Sequence, residues 1–228
     1  AAMLGAMADR LGRVAESPEE FAGDVQALKR IVDEAVSHAT ALCFALALIG
    51  RPESEAALRK VLDLPQRRLQ AEAAHALAQI GQADGLARLA ELAADPASRA
   101  RALSYLDELG ELDRAAAEHR TPEARAVGEL AAWLALPQRF GLAPHELDVI
   151  DQRTLFWPGY EQPQRCWLIR YEYRLPSGNL AGIGIAGPLT AALEADLLDL
   201  SPADTTAFVQ QDKVAMAKLL AALGLLAP

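Results

Sequence analysis

Three stretches of this chain end in the same way. "ALCFALALIG" stops at Gly50, "AAHALAQIG" at Gly81 and "ALSYLDELG" at Gly110, so the glycines stand 31 and 29 residues apart. Each stretch places Ala or Leu at helical spacing ahead of Ile or Leu and then Gly. This is the pattern of a buried helical stripe followed by a residue free to take the left-handed conformation that closes a helix. A polar turn and a second helical pattern come next, as in "DGLARLAELAA" after Gly81. A helix pair of about 30 residues cannot bury both its faces alone, so successive pairs must stack on one another. The chain is therefore expected to be mainly α, with an α-solenoid of helix pairs as its dominant feature.

Helix starts alternate with these stops. "SPEE" offers Ser17 as N-cap, Pro18 at the first helical position and Glu20 to complete a capping box. Asp95-Pro96 and Thr121-Pro122-Glu123 repeat the device, and Pro65 marks the turn into the helix that ends at Gly81. The alternation resembles HEAT repeats, most closely the short bacterial variety named for the phycobilisome lyases, over roughly residues 35–120. The resemblance implies a stacked array with an extended concave surface. Such arrays serve as scaffolds, inhibitors, lyases and occasionally other enzymes, so the fold does not choose among these roles.

Of the residues, 52% are hydrophobic but only 5% aromatic, which is the Ala- and Leu-rich make-up of packed helices. Residues 157–188 depart from it by holding two of the three tryptophans and three of the four tyrosines. Just before them, Pro137, Gly141 and Pro144 are too many breaks for a continuing helix pair. They place a boundary between a repeat domain, 1–143, and a small α+β capping domain, 144–228. Beyond it the period drops to two: in "CWLIRYEYR", Trp167, Ile169, Tyr171 and Tyr173 share one face and Arg170, Glu172 and Arg174 the other.

"LPSGNL" supplies a turn, and "AGIGIAG" returns as a second strand with Ile183 and Ile185 on one face. Pairing Leu175 with Leu180 would set Gly182 opposite Tyr173 and Gly184 opposite Tyr171, so that tyrosine rings restore the packing that glycines forgo. The aromatic face of this β-hairpin is expected to pack on the helices that follow, read from "PLTAALEADLLDL", "SPADTTAFVQQ" with Ser201 as cap, and "KVAMAKLLAALGLL". The segment from Trp157 to Asp199 also resembles the C-terminal region of bacterial HEAT-repeat proteins. That likeness implies association with the array and no activity.

The formal net charge is −9, with 16 basic against 21 acidic residues in 1–143 and 6 against 10 in 144–228, so phosphate backbones would be repelled on average. No nucleic acid is expected as a partner. No stretch of about 18 uninterrupted apolar residues is present, and Asp9, Arg10 and Arg13 break the apolar opening, so neither a membrane span nor a secretory signal is expected and the reading is cytoplasmic. Cys43 and Cys166 lie in apolar runs and read as reduced, structural thiols.

Catalytic patterns are sparse. A di-iron centre of the HEAT-repeat hydroxylase type needs four or more converging ligands, whereas the chain offers one His145-Glu146 dipeptide and one Glu72-x-x-His75. The four histidines, His38, His75, His119 and His145, are too widely spaced for a zinc site. "GIGIAGP" lacks the third glycine of a dinucleotide fingerprint. No metal, cofactor or catalytic residue is assigned, and an enzyme is disfavoured without being excluded.

The favoured expectation is a protein-binding module acting as a soluble bacterial adaptor or scaffold. An immunity-type inhibitor of a toxin or enzyme is one alternative, and a lyase or other enzyme working in the cleft between solenoid and hairpin is another. Two sets of residues are expected to meet the partner. One is Trp157, Tyr160, Arg165, Arg170 and Glu172, around an aromatic loop and the charged strand face; the other is Arg67, Arg68, Arg99 and Arg101, which repeat spacing would align as a short basic ridge.

Overall fold

The computed structural model describes residues 1–17, 25–136, 139–156, 160–175 and 178–192. By their internal contacts the chain divides into two compact units, Ala1–Gly128 and Glu129–Pro228. Among the described residues there are seven α-helices: α1 (Ala2–Glu16), α2 (Val25–Ile49), α3 (Glu55–Leu62), α4 (Arg67–Gln79), α5 (Ala83–Leu92), α6 (Pro96–Glu108) and α7 (Pro122–Leu134). The strands are β1 (Glu146–Leu155), β2 (Gln164–Leu175), β3 (Gly178–Ala186) and β4 (Ala191–Ala192).

The first unit is the expected stack of helices. Within it α2 packs on α4 and α4 on α6, while α1 packs on α3, and α3 and α5 both pack on α4. Gly50, Gly81 and Gly110 close α2, α4 and α6 with φ of 65°, 87° and 71°, the left-handed region that a Cβ disfavours. After α4, Gly81 donates its N–H to Ala78 at 3.0 Å and Gln82 to Leu77 at 2.9 Å; after α6, Gly110 donates to Asp107 and Glu111 to Leu106. Both are the paired closure that satisfies the last carbonyls of a helix. At the starts, Asp95 accepts from the Ala97 N–H at 3.0 Å and Thr121 Oγ1 from the Ala124 N–H at 3.1 Å, as the cap motifs predict. The helix start predicted at Ser17 falls on residues 18–24, outside the described residues; Ser17 itself follows α1 and donates its N–H to Arg13.

Alanine explains how tightly α4 is held. From Leu69 to Leu77 every residue of this helix is buried. Ala73, Ala76 and Leu77 join one cluster with Leu4, Leu58, Val61, Cys43 and Leu46 from α1, α3 and α2. Ala71 and Ala74 join another with Leu89, Leu92, Ala102, Leu103 and Leu106 from α5 and α6. Small side chains on both sides let the neighbouring helices come close, and the leucines around them supply the apolar burial, about 1.5–3 kcal/mol for each one fully enclosed.

The second unit holds an antiparallel sheet in the order β1-β2-β3-β4. As the two-residue period requires, Trp167, Ile169, Tyr171 and Tyr173 are buried, and Arg170 and Arg174 are exposed. The register differs from the expected one by two residues: Leu175 pairs with Gly178, Tyr171 with Gly182 and Ile169 with Gly184. A slip of two keeps every side chain on its face, so the hydrophobic pattern alone does not distinguish the two pairings. The ring-over-glycine contact survives once: a Cβ on Gly182 would run into the Tyr171 ring, while one on Gly184 would meet the Leu130 side chain of α7. Tyr173 donates its hydroxyl to the Leu142 carbonyl at 3.1 Å, and Phe140 lies 4.9 Å from its ring. The aromatic face therefore packs on elements that precede the sheet, α7 and the Phe140 turn; the following helices to which the sequence pointed lie largely outside the described residues.

Two further differences concern the ends of the sheet. β1 goes beyond the expected hairpin; its pairing with β2 shifts between Val149 and Asp151, a bulge that breaks the two-residue alternation by which a strand is read from sequence. Ala191 and Ala192 pair with Ile185 and Gly184 as β4, at the place where "PLTAALEADLLDL" was read as a helix. The remainder of that segment and the two later helices, with Ser201, lie outside the described residues.

By length and composition residues 30–49 of α2 are apolar enough to cross a membrane, a point the search for an uninterrupted apolar run missed. In the fold, Ala39, Cys43 and Leu46 on one side of this helix are buried among α1, α3 and α4.

Candidate functional site

Counting back from the three stop glycines puts equivalent turns of α2, α4 and α6 side by side. Nine residues before the stop stand Ala41, Glu72 and Arg101; six before, Phe44, His75 and Ser104; two before, Leu48, Gln79 and Glu108. Because α2 packs on α4 and α4 on α6, these rows run across one face of the first unit. Its two ends differ in chemistry. On α2 the face is apolar and open, with Phe44 57% and Leu48 71% exposed. On α4 and α6 it is a closed polar cluster.

Glu72 anchors that cluster. It is 7% exposed, accepts from the Tyr105 hydroxyl at 2.8 Å and is bound by the Arg101 guanidinium. The His75 ring lies on Tyr105 with centroids 3.9 Å apart and planes 3° apart. Its Nε2 is buried without a hydrogen bond, 3.6 Å from Glu108 Oε1 and too far for one; Glu108 instead accepts from Gln79 at 3.4 Å. Burial lowers the His75 pKa against the opposing pull of Glu108 and Glu72, which keeps the ring neutral at pH 7. Burial, then the Glu72 charge, push Tyr105 up to about 12, and the same two causes push the fully buried Cys43 thiol up to about 12. A tyrosine and a thiol so shifted hold their protons, and Glu72 is already engaged by two donors. The cluster ties α4 to α6 and presents no poised base or nucleophile.

The expected basic ridge is divided in the structure. Arg67 bonds Asp95 at 2.7 Å and Gln70 at 2.9 Å, tying the start of α4 to the cap of α6, and Arg68 is exposed. Arg99 is turned inward, 7% exposed, with its guanidinium on the carbonyls of Ala93 at 2.8 Å, Ala94 at 2.9 Å and Ala124 at 3.1 Å. The Ala93 and Ala94 carbonyls lie just past the end of α5, where Arg99 answers otherwise orphaned acceptors, and its bond to Ala124 fastens the first turn of α7 to the stack. Arg101 belongs to the Glu72 cluster.

In the second unit Arg170 donates to Asp148 at 2.8 Å and Glu172 accepts from Asn179 at 2.9 Å. With Arg174 on Glu146 the pairs form a ladder of opposite charges across β1 and β2, to which β3 adds the neutral Asn179 amide. The Arg165 guanidinium stands 5.9 Å over the Trp167 ring. Tyr160 is 48% and Phe156 76% exposed. Trp157 lies outside the described residues.

Neither Phe44 nor Leu48 was singled out from the sequence, although both sit in the quoted repeat "ALCFALALIG" at the positions where α4 carries His75 and Gln79. Glu72 and His75 were noticed as metal-ligand spacing; among the described residues no three His, Cys, Asp or Glu side chains gather as a metal site. Both cysteines are free and buried.

Compared with known families, residues 25–109 match the family model of HEAT repeats. No curated protein and no solved structure matches the chain. The matched segment contains α2 to α6 and with them the whole face described above; over that segment the chain is similar to HEAT repeats.

Proposed function

We propose that the chain is a protein-binding module of the adaptor or scaffold kind and that the α2–α4–α6 face is the surface that meets the partner. HEAT repeats as a class are protein-interaction modules, and stacked pairs create extended surfaces for that purpose. The observation that carries the reading is the exposure of Phe44 and Leu48 on a helix whose equivalents in the next two repeats bear polar groups. Large apolar side chains left adjacent on a surface mark contact sites. Within this class we read a soluble adaptor before an immunity-type inhibitor, since the face extends across three packed helices. The lyase reading loses support at Cys43, whose thiol is sealed in the core and holds its proton.

The test is co-purification from the native host with three forms of the chain: wild type, Phe44→Asp with Leu48→Asp, and Arg170→Ala with Glu172→Ala. Circular dichroism and thermal melts would establish that all three are folded. A stoichiometric protein that stays with the wild type and the strand variant but leaves the α2 variant supports the reading. Retention by the α2 variant sinks it, and loss only from the strand variant moves the contact to β2.

A further inference from the structure

Four residues of α2 recur on its open side at i, i+3, i+4 and i+7: Ala41, Phe44, Ala45 and Leu48. Phe44 and Leu48 are 57% and 71% exposed, Ala41 is exposed and Ala45 half-buried. This is the stripe by which one helix receives another, large side chains alternating with small ones that let a second backbone approach.

At the other edge of the same face stands Glu108, in the last turn of α6, which also carries Asp107 beside that edge and no basic residue. A helix C-terminus favours cations, so two carboxylates there cost the helix stability. Both are exposed, and neither has a Lys or Arg partner among the described residues. The polar groups between the two edges are already spent on one another: Glu72 is neutralised by Arg101, and His75 is uncharged. The face thus combines an unfilled apolar stripe with an unanswered pair of negative charges.

We propose that this face binds a basic amphipathic helix of another protein, whose apolar side covers Phe44 and Leu48 and whose Lys or Arg residues reach Asp107 and Glu108. The proposal rests on the reading of the α2–α4–α6 face as the contact surface. A second copy of the chain is disfavoured as occupant by the net charge of −9, which makes copies repel.

The experiment uses the full chain and three synthetic peptides of about 18 residues: a Leu/Lys amphipathic helix, a scrambled peptide of the same composition, and a Leu/Glu amphipathic helix. Fluorescence anisotropy reads the Kd of each. The Leu/Lys helix should bind at least about tenfold more tightly than either of the others, since neither keeps both the stripe and its charge.

Phe44→Asp should weaken its binding about tenfold. That substitution adds a negative charge, so mere electrostatic attraction would strengthen instead, and a tighter complex overturns the proposal. Asp107→Asn with Glu108→Gln should weaken binding about threefold or more and leave the melting temperature unchanged or raised. If the Leu/Glu helix binds equally and still depends on Phe44, the basic partner is refuted while the contact surface stands. If no peptide responds to Phe44, both fail. Concentration-dependent dimerisation through Phe44 in sedimentation, or binding to zwitterionic lipid vesicles that Phe44→Asp abolishes, would replace the helix by a second copy or a membrane and overturn the proposal.

Discussion

The ring of His75, on α4, lies flat on that of Tyr105, on α6, with centroids 3.9 Å apart and planes 3° apart. The stack joins two repeats whose backbones are otherwise held by alanine and leucine, and it closes over the Glu72 carboxylate that Tyr105 and Arg101 share. A polar contact of this kind fixes which residue of one repeat faces which residue of the next.

Removing Glu72 tests how much that contact contributes. Glu72→Ala would leave the Tyr105 hydroxyl and Arg101 without their shared acceptor. The Arg101 side chain is 41% exposed and recovers water, so we expect a loss of about 1–2 kcal/mol, less than for a fully buried pair. Urea denaturation of Glu72→Ala, Arg101→Ala and the double variant would measure it. If the two single losses simply add, the pair is not coupled and the cluster does not act as a tie.

The His75 ring predicts a pH dependence whose sign can be worked out. Burial lowers its pKa in the folded chain below the ordinary value of about 6.5. The unfolded chain therefore takes up this proton first as pH falls. Stability contributed by the neutral ring is complete above about pH 6.5 and is lost as pH drops below it toward the lower folded value. Thermal melts from pH 7.5 to 5 should show a steeper fall for the wild type than for His75→Phe; identical slopes would mean that His75 does not titrate differently on folding.

Cys43 should be inert while the chain is folded. Its thiol is fully buried and pushed up to about 12, so almost no thiolate is present at pH 8. In a Cys166→Ser background, labelling by a disulfide reagent should proceed only at the rate of unfolding and accelerate in urea. Rapid labelling of the native chain in water would contradict the burial.

Gly182 should tolerate no side chain while Tyr171 is present. A Cβ there meets the ring, and the cost of displacing a packed aromatic is about 1–3 kcal/mol. Gly182→Ala should lower the melting temperature, and Gly182→Ala with Tyr171→Leu should recover part of the loss. A Gly182→Ala chain as stable as the wild type would show that the ring moves freely.

Much of the architecture is written locally. The stop glycines, the Asp95 and Thr121 caps and the buried face of β2 could all be read from the sequence, because each depends on the conformational limits of one residue or on a period of a few. Where a signal is not local, reading failed. β1 was hidden by its bulge at Ile150, and the hairpin register slipped by two because both pairings put the same side chains on the same faces.

The candidate site divides in the same way. That Glu72 and His75 share one side of a helix follows from their spacing, and that Phe44 and Leu48 share one follows from theirs. Only the stacking of α2, α4 and α6 decided that Glu72 finds Arg101 and Tyr105 and becomes a tie, that Arg99 turns inward to the carbonyls past α5, and that Phe44 and Leu48 face no helix among the described residues. Helical period and turn chemistry are properties of a few consecutive residues. Which side chains meet across helices is set by how those helices pack, and that is a property of the folded array alone.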